Sequence, residues 1–134
     1  MEYQAIKTKE VGVINGRDAI FLDDLRQTFN SECNCVFKGK FNSKLIEINF
    51  KKDYIPYIFY FSDIIYYQCC ELDTYINEVK MDSSFDLVHN SYLIEELKNG
   101  RKSSKIKENH RHYVLQTYDY VYDIIAKDYK LIIE

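Results

Sequence analysis

The fold turns on one stretch, Tyr54-Ile55-Pro56-Tyr57-Ile58-Phe59-Tyr60-Phe61-Ser62-Asp63-Ile64-Ile65-Tyr66-Tyr67-Gln68-Cys69-Cys70. Nearly every residue in it is aromatic or β-branched, the types that pack well on a pleated, half-buried surface. Ser62-Asp63 interrupts the run, which predicts two consecutive strands, Tyr57–Phe61 and Ile64–Glu71, joined by a tight turn or a bulge. No other segment carries enough apolar surface to form the centre of a sheet. The run is not a membrane span. It is broken by Pro56, Ser62, Asp63 and Gln68 and falls short of the ~20 apolar residues a crossing helix needs.

Upstream, Cys33 to Phe41 alternates Cys33, Cys35 and Phe37 against Asn34, Val36 and Lys38, which reads as a strand. Ser43 to Phe50 repeats the pattern, and Phe41-Asn42-Ser43 between the two predicts a hairpin. Lys51-Lys52-Asp53 is a charged turn leading into the aromatic strands, with Pro56 at a strand start, where a sheet tolerates it. Nearer the N-terminus, Asn15-Gly16 follows Val11, Val13 and Ile14, the signal of a type I′ hairpin turn. Ala19 to Leu22 is then the return strand. Alternatively, Asp18 caps a helix with Phe21, Leu22, Leu25 and Phe29 on one face. We expect a short return strand followed by a helix ending near Asn30.

Downstream, Asp73, Asn77, Glu78, Lys80 and Asp82-Ser83-Ser84 mark a loop, and Phe85 to Val88 a short strand. Asn90 or Ser91 can cap a helix through Leu93, Ile94 and Leu97, stopped by Asn99-Gly100. Arg101 to Lys107 reads as a solvated basic loop. His112–Thr117 and Tyr120–Ala126 form a strand pair turning at Tyr118-Asp119, and Tyr129–Ile133 closes the chain. The expectation is one domain over residues 1–134. Its fold class is α+β, a predominantly antiparallel twisted β-sheet of about six to nine strands with one or two short helices.

Composition narrows the function classes. A chain of 134 residues, 46% hydrophobic and 29% charged, needs neither metal nor disulfide to fold. The net charge of −3 falls on the second half, so neither half has the basic balance of a nucleic-acid or membrane-surface module. Met1 to Glu10 is polar and lacks the apolar core of a cleavable signal, which points to a cytoplasmic protein with reduced thiols. Thirteen Tyr and no Trp suit either a thin sheet or an interaction surface, and an AT-rich coding sequence would produce the same excess.

The candidate chemistry is sparse. Cys33-x-Cys35 and Cys69-Cys70 lack the spacing of structural zinc pairs, and free thiols are common in cores. His110 and His112 share one strand face and are weak metal candidates, with His89, Asp119 or Asp123 to complete a ligand set. No serine has the context of a nucleophile elbow, and the four glycines form no phosphate loop. We expect no cofactor. Carboxylate pairs occur at Asp23-Asp24, Glu71-x-Asp73 and Glu95-Glu96. Glu71-x-Asp73 ends the most apolar strand, where it can line a pocket mouth or simply return the chain to water. Lys98, Arg101, Lys102, Lys105, Lys107 and Arg111 lack interleaved aromatics, so they read as a solvated segment rather than a nucleic-acid site.

Ser84-Phe85-Asp86-Leu87-Val88-His89-Asn90-Ser91, His112-Tyr113, and Tyr118-Asp119 through Ile124-Ile125-Ala126 carry a resemblance. They resemble small bacterial domains similar to the immunity proteins encoded beside polymorphic toxins. The resemblance covers roughly the second half of the chain and its motifs are structural, so it assigns no functional residue. It implies a protein partner, a toxin. The leading expectation is therefore an interaction module, rather than an enzyme, that occludes a partner through a Tyr-rich acidic surface. Tyr57, Tyr66, Tyr67 and Tyr75, with Glu71 and Asp73, are the candidate contacts. The alternative is a small enzyme or ligand-binding protein with a pocket near Glu71 and Asp73. An unpaired edge strand or an exposed Tyr face leaves a homodimer open.

Overall fold

The computed structural model describes residues 1–75, 80–100 and 105–134. Asn77, Glu78 and Arg101 to Ser104, expected in loops, lie outside the described residues. Among the described residues, nine strands form two antiparallel sheets that pack against each other. Strands β1 (Glu2–Ala5), β5 (Tyr66–Glu71), β6 (Phe85–His89), β7 (Arg111–Gln116) and β8 (Tyr120–Ala126) make a five-stranded sheet in the order β1-β6-β7-β8-β5. Strands β2 (Ile20–Phe29), β3 (Cys33–Asn42), β4 (Tyr54–Ser62) and β9 (Asp128–Ile133) make a four-stranded sheet in the order β2-β3-β4-β9. Among the described residues there is one α-helix, α1 (Tyr92–Lys98). The antiparallel expectation holds, but as a two-layer sandwich with little helix rather than one sheet.

The aromatic stretch does lie at the centre of the core, but its two halves do not pair. β4 belongs to one sheet and β5 to the other. Asp63 adopts a positive φ of 51° and turns the chain between the layers, a conformation Asp tolerates better than most side chains. Its amide donates to Asn34 Oδ1 at 3.1 Å, and the Ile64 amide donates to the Cys33 carbonyl at 2.8 Å. The interruption read as a tight turn or bulge is a crossing point. Within β4, alternation sends Ile55, Tyr57, Phe59 and Phe61 inward. Phe59 and Phe61 meet Phe85 and Tyr113 of the other sheet with ring centroids 5.0–6.2 Å apart. Pro56 sits opposite Lys40, one residue beyond the last rung between β4 and β9.

Two further expectations are corrected. Residues 20–29 are strand, not strand then helix. A bulge between Leu22 and Asp24 inserts one residue, so Leu22 and Leu25 both face the core despite a spacing of three. That spacing imitates a helical face. Residues 43–50 are not a strand paired with β3. A short 3-10 helix, Ser43–Leu45, is capped by Asn42 Oδ1, and β3 pairs instead with β4. The following residues lie along the N-terminal segment, where Glu47 and Ile48 amides donate to the Val13 and Val11 carbonyls. Asn15-Gly16 therefore makes no hairpin turn. Among the described residues only Asp63 and Asn90, apart from glycines, have positive φ.

The downstream reading survives well. Ser91 caps α1 by accepting the Ile94 amide at 3.1 Å, and β7–β8 is the expected hairpin. The outer face of the five-stranded sheet carries a second, smaller core of Tyr3, Leu72, Tyr75, Val88, Val114 and Val121. No helix among the described residues is long and apolar enough to cross a membrane.

Candidate functional site

A groove of about 470 Å³ opens where the β2 bulge meets the β7–β8 turn. Thr117 builds the turn. Its amide and hydroxyl both donate to the Tyr120 carbonyl at 2.8 Å, which holds Tyr118 and Asp119 at the tip. The Tyr118 amide then donates to the Ile20 carbonyl at 2.9 Å, tying the turn to the edge strand β2. Phe21 stacks on Tyr118 at 5.5 Å, and Tyr54 meets Phe21 edge-on at 6.1 Å. The bulge adds Asp23 beside Asp24, so Asp23, Asp24 and Asp119 face a single ammonium, Lys40, along the groove. Asp24 is held by Arg26 at 2.8 Å, whereas Asp23 and Asp119 form no ion pair among the described residues. Tyr54, Tyr118 and Tyr120 are each 42–50% exposed, an unusual amount of aromatic surface to leave in water around one groove.

A buried polar network lies elsewhere, on the outer face of the five-stranded sheet. Register places His112 opposite Ile125, and Asp123 between Val114 and Gln68. His112 Nδ1 lies 2.7 Å from Ser91 Oγ, and His112 Nε2 lies 2.7 Å from Asp123 Oδ1. Ser91 Oγ also accepts the Ile94 amide, so the same hydroxyl joins the helix cap to the imidazole. Tyr75 donates to Asp123 Oδ1 at 3.1 Å, Gln68 donates to Oδ2 at 3.2 Å, and Tyr66 donates to Gln68 Oε1 at 3.0 Å. Tyr3 and Tyr75 share a 3.2 Å hydroxyl contact. Burial pushes the Tyr75 phenol far up, and raises Tyr3 as well.

The six contacts expected from sequence do not come together. Tyr57 is buried in the four-stranded sheet and Tyr75 in the outer core, so neither can be a surface anchor. Both side chains spend their hydroxyls inside the fold. Tyr66 and Tyr67 are half-buried and point to opposite faces of β5, with the Tyr67 hydroxyl accepting from Gln27. Glu71 is half-buried at the end of β5, and exposed Asp73 pairs with Arg17 at 3.1 Å. Neither the groove nor the cavity over Asp123 is lined by Glu71 or Asp73. His110 and His112 hold different carboxylates, Asp63 at 3.2 Å and Asp123 at 2.7 Å. No cluster of three metal-ligating side chains forms among the described residues. Cys33 and Cys35 lie in one sheet, Cys69 and Cys70 in the other.

The groove residues Phe21, Asp23, Tyr118 and Tyr120 were missed for identifiable reasons. The local pattern puts Phe21 in a short return strand and Asp23 in a following helix, and neither has the faces of a bulged strand. Tyr118-Asp119 reads as a turn and Tyr120 as the start of a strand, although two aromatics flanking an acid at a hairpin tip are a signal of an exposed contact surface. Comparison with family models, curated proteins and solved structures finds no match to this chain.

Proposed function

We propose that this protein is an interaction module that takes a basic segment of a protein partner into the acidic, aromatic groove. The observation that carries this reading is the union of Tyr118, Tyr120 and Phe21 with Asp23 and Asp119 in one depression. Aromatic side chains supply large, rigid contact area, and the carboxylates steer and orient a partner of opposite charge. Arg17, already over the Tyr118 ring at 5.9 Å, illustrates how a guanidinium engages this surface. A phosphate backbone would be repelled by the same carboxylates, which counts against nucleic acid here. The resemblance to immunity proteins suggests a toxin as the partner and occlusion as the mode of action. A cytoplasmic setting with reduced thiols accords with that role.

The test compares tagged wild type with Asp23→Asn/Asp119→Asn and with Tyr120→Ala in extracts of the source cells. One protein should be retained at near-physiological salt, released as salt rises, and lost with either variant. Equal retention by all three forms would refute the groove. Retention of the protein's own untagged copy alone would replace the partner by a homodimer.

A further inference from the structure

A second depression, about 320 Å³, shares no residue with the groove. It lies between α1 and the outer face of the five-stranded sheet, against Tyr3, Gln68, Tyr92, Leu93, His112 and Asp123. Asp123 and His112 at its floor are only 4% and 3% exposed. Asp123 Oδ1 receives two donors but Oδ2 receives one, from Gln68. An ionised carboxylate offers about four acceptor sites, so Oδ2 keeps room for a further donor. The groups already around it are a phenol, an amide and an imidazole. None is a fixed cation. A carboxylate withdrawn from water gains most from a charged partner that also donates hydrogen bonds.

We propose that this cavity binds a small organic ammonium, a primary amine on a short apolar body. The ammonium donates to Asp123 Oδ2 at the floor. The body lies against Leu93 and the rings of Tyr3 and Tyr92, and Tyr92, 66% exposed, closes over it. The volume suits a ligand near the small end of the usual range of about 300–1,000 Å³. Met1, Lys80 and Glu96 also line the cavity, and it is the buried Asp123 carboxylate at the floor that a cation would meet. A carboxylate ligand would meet Asp123 directly and be rejected.

Calorimetry and amide chemical-shift mapping with n-hexylammonium and 2-phenylethylammonium test this, with hexan-1-ol and hexanoate as neutral and anionic counterparts. The amines should bind with shifts centred on His112, Asp123 and Gln68. Hexan-1-ol should bind at least about tenfold more weakly, and hexanoate not at all. Asp123→Asn should weaken the amines at least about tenfold. Lys80→Ala, which removes a like charge from the rim of an otherwise intact fold, should tighten them. Equal binding of hexan-1-ol and hexylammonium would overturn the proposal, as would no amine binding at roughly 10 mM. If Asp123→Asn fails to fold, the wild-type contrast among the ligands and the Lys80→Ala result decide the matter.

Discussion

The hydroxyl of Tyr57 donates to the carbonyl of Phe21 at 2.9 Å, from one strand of the four-stranded sheet to the next but one. Gly39 on the strand between makes this reach possible. It sits opposite Tyr57 on one side and Leu22 on the other, and a Cβ there would lie 1.8 Å from the Phe21 carbonyl oxygen. The Tyr57 ring stacks on Phe41 at 4.4 Å, and its hydroxyl satisfies the carbonyl just before the β2 bulge. Tyr57→Phe should therefore cost about 1–2 kcal/mol, the usual loss when a buried acceptor goes unpaired. Gly39→Ala should cost more, about 3 kcal/mol or above, because backbone must move. Urea unfolding of the two variants checks the order. A Gly39→Ala protein as stable as wild type would remove the basis for this account of the bulge.

How far the sequence led differs along the chain, and the reason is the range of the contacts involved. β6, α1, β7, β8 and β9 lie close to where local pattern puts them, because alternation, a Ser91 cap and a short turn are local signals. β2 failed because a bulge is fixed by its partner strand, and without β3 the spacing Leu22 to Leu25 has no unique meaning. Tyr66 and Tyr67 were legible as strand residues but not as members of a different sheet from Tyr57. A two-layer fold sorts neighbours in sequence into separate layers, and only the Asp63 crossing tells them apart. The groove depends on both failures at once. It joins β2 to a turn about a hundred residues later, a relation no local pattern contains.

The cap of α1 offers a second test, since Ser91 both accepts the Ile94 amide and contacts His112. Ser91→Ala loses both and should cost about 1–3 kcal/mol. Glycine at an N-cap costs only a few tenths of a kcal/mol. Any larger loss in Ser91→Gly is therefore the price of leaving the buried imidazole without its hydroxyl. Equal, small losses in both variants would show that the network adds nothing beyond the cap.

The thiols should react in an order set by burial. Cys69 is exposed, while Cys35 is 1% exposed and its thiol is pushed up to about 12, mainly by burial and then by neighbouring Cys33. Only the thiolate is a strong nucleophile, so Cys35 is protected both sterically and by protonation. Iodoacetamide at mildly alkaline pH, read by peptide mass spectrometry, should label Cys69 first and Cys35 only as the protein unfolds in urea. Matched rates at the two positions in native buffer would contradict the sandwich core around Cys35.

Groove and core tyrosines should separate in their effects. Tyr118→Ala and Tyr120→Ala remove half-exposed rings and should leave the melting temperature nearly unchanged while weakening partner capture by about 1–2 kcal/mol or more. Tyr75→Ala, by contrast, opens the outer core and strips a donor from Asp123, so it should destabilise by about 3 kcal/mol or more. Thermal melts and capture assays on the same three proteins distinguish the roles. A Tyr120→Ala protein that melts much earlier than wild type would make the groove wall structural.

Alkaline pH tests the core as a whole. Tyr113 and Tyr122 are both pushed up to about 12 by burial, from an ordinary value near 10.0. Burial drives Tyr57 and Tyr75 in the same direction. For each of these groups the folded state resists ionisation more than the unfolded chain does, so the unfolded chain loses its proton first as pH rises. For Tyr113 and Tyr122 that contribution to stability is complete below pH 10 and is lost as pH climbs from there through about 12. Folding stability should therefore fall steeply over that window. The phenolate absorbance of the buried tyrosines should rise together with the loss of near-ultraviolet circular dichroism, as one cooperative step. Tyr122→Phe removes one of these groups without disturbing its ring contact with Phe37 at 5.1 Å, so it should shift the transition to higher pH. Phenolate appearing well before the dichroism changes would mean that these rings meet solvent in the native state, which the packing between the two sheets forbids.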